Sequence, residues 1–206
     1  MGRIGAMLVP HRMSANQVTL IGGIFGLLAG LAFWLASFSA GWFVVGAVLV
    51  LAHWAADNVD GHVARTRDHC SEAGRFLDIF SDAITFAALG IGIGFANYSH
   101  LGIVAVATML CLLQYVLTVL WIAFGRIWPF PTFGPAEASL TLIMIALLML
   151  ILPTDLFTVA NMNFSLVDLA FALTIPSSLI TLLTSGLALF RHLQRLAVAT
   201  GTPESR

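Results

Sequence analysis

The sequence predicts an all-α membrane protein with six transmembrane helices and a short N-terminal interfacial segment. Of the 206 residues, 59% are hydrophobic and only 9% are charged, which is far more apolar than a soluble domain. The apolar residues fall into six segments, most of them near the ~20 helical residues needed to cross a ~30 Å hydrocarbon layer. The predicted spans are Val18 to Phe38, Ala40 to Ala56, Phe76 to Ala96, Leu101 to Gly125, Ala138 to Leu152 and Leu166 to Phe190.

The ends of the spans follow from the residues around them. Met1 to Met13 contains glycine, proline and arginine but no apolar run, which predicts an interfacial helix or turn. The second and fifth spans are short, so we expect the second helix to continue past Asp57 and the fifth to begin back toward Pro135. No linker, low-complexity stretch or fixed-period repeat interrupts the helices, so residues 1–206 are predicted to form a single domain.

The arginines predict the orientation in the membrane. The chain has no lysine, and six crossings place all nine arginines on one side. The opposite connections, around Ser39, Asn97 to His100 and Pro153 to Ser165, contain no basic residue. By the positive-inside rule the arginine side, with both termini, is predicted to be cytoplasmic. The net charge of -1 gives no reason to expect nucleic acid as a partner.

Small and polar residues inside the spans indicate how the helices pack. Glycines recur every four residues on the first and third helices, at Gly22, Gly26, Gly30, Gly90 and Gly94. This spacing predicts close helix packing, either inside one subunit or across a homodimer face. His53 and Gln114 are interpreted as interhelical hydrogen-bonding residues.

Four aspartates lie at or near membrane depth, where each carboxylate costs ~2.5 to 3.5 kcal/mol on insertion scales. Asp57 and Asp60 share one face of the second helix, and Asp78 and Asp82 share one face of the third. The short polar turn from Thr66 to Ala73 makes these helices antiparallel neighbours. The four carboxylates are therefore expected to converge at the cytoplasmic end of the pair.

Carboxylates that converge in this way repel one another unless a cation lies between them. Oxygen-only ligands favour a hard divalent cation, Mg²⁺ or Mn²⁺. Gly61 and Gly74 remove side chains that would face the cluster, and Arg65 offers a planar guanidinium to a phosphate. These features together predict a metal-dependent diphosphate site.

Residues 57–82 read D-x2-D-G-x2-A-R-x8-G-x3-D-x3-D. This pattern resembles the signature of the CDP-alcohol phosphotransferase family, also called the CDP-alcohol phosphatidyltransferase family. The six-helix plan with cytoplasmic termini is similar to that family as well. All eight signature positions are occupied, by Asp57, Asp60, Gly61, Ala64, Arg65, Gly74, Asp78 and Asp82.

The resemblance implies a role for each of these residues. One or two divalent ions, Mg²⁺ or Mn²⁺, would hold the CDP diphosphate among Asp57, Asp60, Asp78 and Asp82. The nucleotide pocket would be lined by Gly61, Ala64, Arg65 and Gly74. Asp82 would also be the general base for the acceptor hydroxyl. The implied reaction, in phospholipid biosynthesis, transfers a phosphoalcohol group from a CDP-linked donor to an alcohol acceptor and releases CMP.

Weaker features lie outside the signature. Asn16 and Thr19 resemble a minor N-terminal family pattern that contacts the nucleotide, although Asn16 could equally cap the first helix. Glu137 is a candidate for the acceptor pocket or a solvated residue at a helix start. Arg126 is a candidate contact for an acceptor phosphate or a cytoplasmic topology anchor.

Several alternatives stay open. Intramembrane aspartates also occur in ion transporters, and aspartates with Mg²⁺ also bind diphosphate in membrane prenyltransferases. Within the resembled family, CDP-diacylglycerol with a small polar acceptor and a CDP-amino-alcohol with diacylglycerol present the same CDP group to the signature. Few cations lie outside the signature, which disfavours an acceptor that itself carries a phosphate.

Overall fold

The computed structural model describes residues 9–10, 13–68, 70–125, 135–159 and 161–200. Within these residues, five helices are long and apolar enough to cross a membrane, and a sixth has 14 residues. A single turn of π-helix, Trp121–Gly125, continues the fourth helix. The helices are α1 (Ala15–Leu35), α2 (Gly41–Thr66), α3 (Glu72–Gly94), α4 (Leu101–Leu120), α5 (Pro135–Leu148) and α6 (Leu166–Thr200), and a hairpin of β1 (Phe157–Val159) and β2 (Met162–Phe164) precedes α6.

The predicted class, a helical membrane protein, is confirmed, and two predicted helix extensions are present. The second helix, α2, continues past Asp57 to its end at Thr66, and α5 begins at Pro135. The first helix begins earlier than predicted because Ser14 and Gln17 form a capping box, in which each side chain accepts a hydrogen bond from the backbone N–H of the other. Of the two interpretations of Asn16, the one that makes it the cap of this helix is therefore wrong.

The region before α6 differs from the prediction. The connection predicted between residues 153 and 165 contains the antiparallel hairpin, in which Val159 pairs with Met162. Asn161 in the turn has a φ of 64°, a left-handed conformation that asparagine tolerates. Strands of three residues are too short to show an alternating pattern in the sequence. Beyond its predicted end at Phe190, α6 continues to Thr200.

The glycines of α1 and α3 pack inside the subunit. A Cβ at Gly26 would overlap Thr85, and a Cβ at Gly30 would overlap the Ala88 carbonyl. On the other side of α3, Gly90 packs against Thr108 of α4. Only hydrogen at these positions allows the backbones to approach so closely. The prediction of close packing inside one subunit is confirmed, and these glycine faces are not available to a dimer partner.

The buried apolar core lies toward the end of the bundle opposite the α2–α3 turn. Its largest fully buried members include Phe33 of α1, Val50 of α2 and Ile93 of α3. Tyr98, just after α3, donates its hydroxyl hydrogen to the Phe33 carbonyl at 2.7 Å. The lipid-facing sides carry exposed apolar residues such as Leu183, with 65% of its surface exposed. The signature aspartates lie toward the other end of the bundle, near the α2–α3 turn.

The predicted interfacial segment, Met1 to Met13, lies mostly outside the described residues. Its last part contacts the α2–α3 turn, since the Arg67 guanidinium donates to the carbonyls of Val9, at 2.9 Å, and Met13. This arginine fixes the approach to α1 beside the end of α2.

Candidate active site

Three carboxylates meet where α2 and α3 lie side by side near their connecting turn. Asp57 and Asp60 are one turn apart on α2, and Asp78 faces them from α3. One oxygen from each carboxylate lies within 4.8 Å of the other two. Asp60 is buried, with 5% of its surface exposed, and the other two are half-buried. The antiparallel pairing that the short turn predicts does bring these side chains together.

The first helix, α1, supplies a hydrogen bond to this cluster. Thr19 Oγ1 donates to Asp60 Oδ2 at 2.5 Å. One turn earlier on α1, the side-chain oxygen of Asn16 would lie 3.3 Å from a Cβ built at Gly74 of α3. Both residues of the minor N-terminal pattern therefore lie beside the signature, and Thr19 contacts one of its carboxylates directly.

Asp82 lies one turn deeper along α3 and is not among the three clustered oxygens. Its Oδ1 is 3.5 Å from His53 Nε2. The other ring nitrogen, His53 Nδ1, donates to the Gly22 carbonyl of α1 at 3.1 Å. The interhelical hydrogen bond predicted for His53 is therefore present, and it holds the ring against Asp82.

A cavity of about 520 Å³ begins at the carboxylates and extends between α3, α4, α5 and α6. Asp57, Asp78 and Asp82 line one part of its wall. The rest of the wall combines apolar side chains with polar groups, which include Thr108, Gln114, Thr118, Thr174, Ser178 and Thr181. No lysine or arginine is among the described residues that line it. Apolar side chains form most of the wall, and the hydroxyl and amide groups are distributed along it.

The predicted nucleotide-lining residues follow Asp60 toward the end of α2. The Arg65 guanidinium folds back over Gly61, where a Cβ would lie 3.2 Å from Arg65 Nη1. Its other terminal nitrogen, Nη2, donates to His62 Nδ1 at 3.0 Å. Arg65 is exposed and Ala64 is half-buried. The absence of a side chain at Gly61 thus leaves room for the guanidinium beside the acidic cluster.

Sequence reasoning did not single out Tyr115 of α4. Its ring packs against Phe86 of α3, with centroids 5.7 Å apart, and it lines the cavity. The sequence signal that could have identified it was the polar pair Gln114 and Tyr115 in a mostly apolar helix. Gln114 also lines the cavity, and the interhelical bond predicted for it stays a prediction. Arg126 and the Glu137 side chain lie outside the described residues.

The donor atoms at this site fit a hard divalent cation. Mg²⁺ and Mn²⁺ take carboxylate oxygens as ligands, and three such oxygens are within reach of one ion. Among the described residues, no lysine or arginine forms an ion pair with the four signature aspartates. The Arg65 guanidinium beside the cluster offsets only part of the mutual repulsion, and a bound cation would offset the rest.

The helices and this site define a multi-pass membrane protein with an oxygen-only acidic centre that opens into a cavity inside the bundle. The sequence model of the CDP-alcohol phosphatidyltransferase family matches residues 12–189. The match extends over most of the chain and includes the whole acidic centre. The chain therefore belongs to this family, as its signature predicted.

Part of the chain is also similar to a curated protein. The inner membrane protein YnjF of Escherichia coli K12 is 35% identical over 80 residues, which are 39% of this chain and 36% of YnjF. The aligned stretch thus spans about a third of that relative.

Solved structures of phosphatidylinositol phosphate synthase PgsA1 from Mycobacterium tuberculosis share the fold. The structure with CDP-DAG bound has a TM-score of 0.68 at 19% identity and covers 92% of both chains. The structure in complex with manganese and citrate has a TM-score of 0.66 at 18% identity and covers 92% of this chain and 88% of PgsA1.

Proposed function

We propose that the protein transfers a phosphatidyl group from a CDP-linked lipid donor to an alcohol acceptor and releases CMP, as a step of phospholipid biosynthesis. The observation that carries this proposal is the meeting of three signature carboxylate oxygens within 4.8 Å at the wall of a cavity large enough for an acceptor. Family membership and the likeness to PgsA1, solved with CDP-DAG bound, support it. The family match over residues 12–189 supports the further proposal that the chain is a single domain.

The donor would bind where α2 ends and α3 begins. Asp57, Asp60 and Asp78, with Asp82 close by, would hold one or two Mg²⁺ or Mn²⁺ ions. When bound, such ions would neutralise the diphosphate and the charge that develops on the departing CMP. The nucleotide would lie along the residues of the signature that follow or face this cluster, Gly61, Ala64, Arg65 and Gly74. The exposed Arg65 guanidinium can reach a phosphate oxygen.

The acceptor would approach from the cavity, where Asp82 lines the wall. Asp82 would take the proton of the acceptor hydroxyl. The acceptor oxygen then forms a bond to the phosphorus that carries the lipid alcohol, and the bond from that phosphorus to the CMP oxygen breaks. The wall contains several hydroxyl groups but no lysine or arginine among its described residues, which disfavours an acceptor that carries a phosphate.

The test is turnover by purified protein in detergent or nanodiscs with Mg²⁺ or Mn²⁺. CDP-diacylglycerol is offered with a panel of polar alcohols, and a CDP-amino-alcohol is offered with diacylglycerol. We expect CMP release from CDP-diacylglycerol with a polar alcohol, and loss of that release in excess EDTA. Full turnover in EDTA would refute the metal role. CMP release only from the CDP-amino-alcohol would mean that this compound is the donor and that diacylglycerol is the acceptor.

We also propose that the arginine-rich side, with both termini and the active site, is cytoplasmic. Arg65, Arg67 and Arg75 flank the α2–α3 turn, in agreement with the positive-inside rule. Single cysteines introduced by Thr66→Cys and Gln194→Cys, in a chain whose two native cysteines are replaced, should react with a membrane-impermeant maleimide from the cytoplasm. Asn97→Cys should react only from the other side. Labelling of positions 66 and 97 from one side would overturn this topology.

The homodimer stays a prediction. The glycine faces that suggested it pack inside the subunit, so a dimer would have to use another surface. The mass of the purified protein in detergent, measured by light scattering with the detergent contribution subtracted, decides between one and two subunits.

A further inference from the structure

The chain has two tyrosines, and their hydroxyl groups differ in hydrogen bonding. The Tyr98 hydroxyl donates to the Phe33 carbonyl at 2.7 Å. Among the described residues, the buried Tyr115 hydroxyl has no hydrogen-bond partner of ordinary geometry, although the Asp82 carboxylate lies near it. A buried polar group without a partner destabilises the fold, and native structures keep few of them. A phenylalanine would fill the same space without this penalty, so the hydroxyl at position 115 calls for a functional reason.

The surroundings of Tyr115 supply that reason. Its ring packs against Phe86 of α3, and Tyr115 and Asp82 line the same cavity, with the hydroxyl near the carboxylate. His53 approaches the same carboxylate from α2, at 3.5 Å from Oδ1. Asp82 therefore has an imidazole from α2 and a phenol from α4 near it, at the wall of the cavity.

We propose that Tyr115 is a positioning residue for phosphatidyl transfer, whose neutral hydroxyl donates to the Asp82 carboxylate during turnover and holds it facing the acceptor cavity. This inference rests on the proposed function. A carboxylate at the end of two rotatable bonds presents the correct lone pair to an acceptor hydroxyl only when its rotation is restricted. The anchored His53 ring, 3.5 Å away, limits the space open to the carboxylate, and a hydrogen bond from the Tyr115 hydroxyl would fix its rotation.

The first experiment compares Tyr115→Phe with Tyr98→Phe. We expect Tyr115→Phe to lower kcat by about 10- to 100-fold, the effect of one hydrogen bond to a charged group. The KM for the CDP-linked donor should stay unchanged, and thermal stability in detergent should stay equal or rise. Tyr98→Phe should do the opposite, because it removes a satisfied buried hydrogen bond far from the site: stability falls while kcat of the folded protein is retained.

The second experiment tests whether Tyr115 acts through Asp82. If it does, adding Tyr115→Phe to Asp82→Asn should reduce the residual kcat no further, because the group it positions is already lost. An additive loss, or a wild-type kcat in Tyr115→Phe, overturns the inference and leaves the proposed function intact. A wild-type protein that releases no CMP from any donor instead overturns the proposed function, and the inference falls with it.

Discussion

Asp168 and Asp60 are both buried aspartates, but they lie at opposite ends of the bundle and have different surroundings. Asp168, with 1% of its surface exposed, accepts hydrogen bonds from the backbone N–H of His100 at 2.6 Å and of Ser165 at 2.9 Å. The His100 ring is also 2.9 Å from it. Ser165 and Asp168 form a capping box at the start of α6. These contacts tie the first turns of α4 and α6 together.

The four signature aspartates near the α2–α3 turn receive much less compensation. Thr19 donates to Asp60, and His53 lies 3.5 Å from Asp82. Carboxylates that serve the fold are surrounded by donors, because an unpaired buried charge is strongly destabilising. A cluster of carboxylates with so few donors is instead typical of a site that is completed by a ligand. The difference separates a structural aspartate from the candidate catalytic ones.

The largest expected effect comes from neutralising a single signature aspartate. Asp57→Asn should abolish both metal-dependent binding of the CDP-linked donor and turnover, because a neutral amide is a poor ligand for a hard cation. Asp82→Asn should retain donor binding and lower turnover by ~10² to 10⁴, the usual effect of losing a general base. Donor binding is measured with a labelled CDP-lipid, and turnover is measured as CMP release.

Asp68→Asn is the matched control for these substitutions. Asp68 is exposed in the α2–α3 turn with a φ of 54°, which asparagine also tolerates, so turnover should not change. If Asp82→Asn abolished donor binding as fully as Asp57→Asn, Asp82 would be a metal ligand and its role as the base would be withdrawn.

A smaller effect is expected at the structural aspartate. Asp168→Asn should lower the free energy of unfolding by about 2 to 3 kcal/mol, because the amide NH2 faces donors that the carboxylate satisfied. The activity of the protein that remains folded should be unchanged. Unfolding is followed by circular dichroism in detergent, with Asp155→Asn as the control for an exposed aspartate in the same region. A large fall in kcat without loss of stability would show that this end of the bundle also serves the reaction.

The smallest effect is expected from the donor that α1 contributes to the cluster. Thr19→Val keeps the shape of the side chain but removes the hydrogen bond to Asp60. It should raise the Mg²⁺ or Mn²⁺ concentration needed for half-maximal CMP release by about 10-fold, because loss of a hydrogen bond to a metal ligand typically weakens metal binding by that factor or more. Thr19→Ser should behave like the wild type. Equal metal requirements for Thr19→Val and the wild type would mean that this bond serves only helix packing.

The sequence by itself determined the class of the protein and the residues of its signature. Membrane spans are visible in local composition, the short α2–α3 turn makes those helices neighbours, and the fixed spacing from Asp57 to Asp82 identifies the family. Each of these properties depends on residues that are near one another in the chain. They could therefore be predicted without knowing how the helices are arranged.

Only the tertiary structure decided which side chains from distant helices meet. It places the Tyr115 hydroxyl near Asp82 and separates Asp82 from the three clustered oxygens. It also shows that the glycine faces of α1 and α3 point toward the inside of the subunit. Such contacts depend on the rotation and crossing angle of each helix, which are set by the packing of all neighbouring side chains together. Periodicity within one helix gives the face that a residue occupies, but not the helix that this face meets.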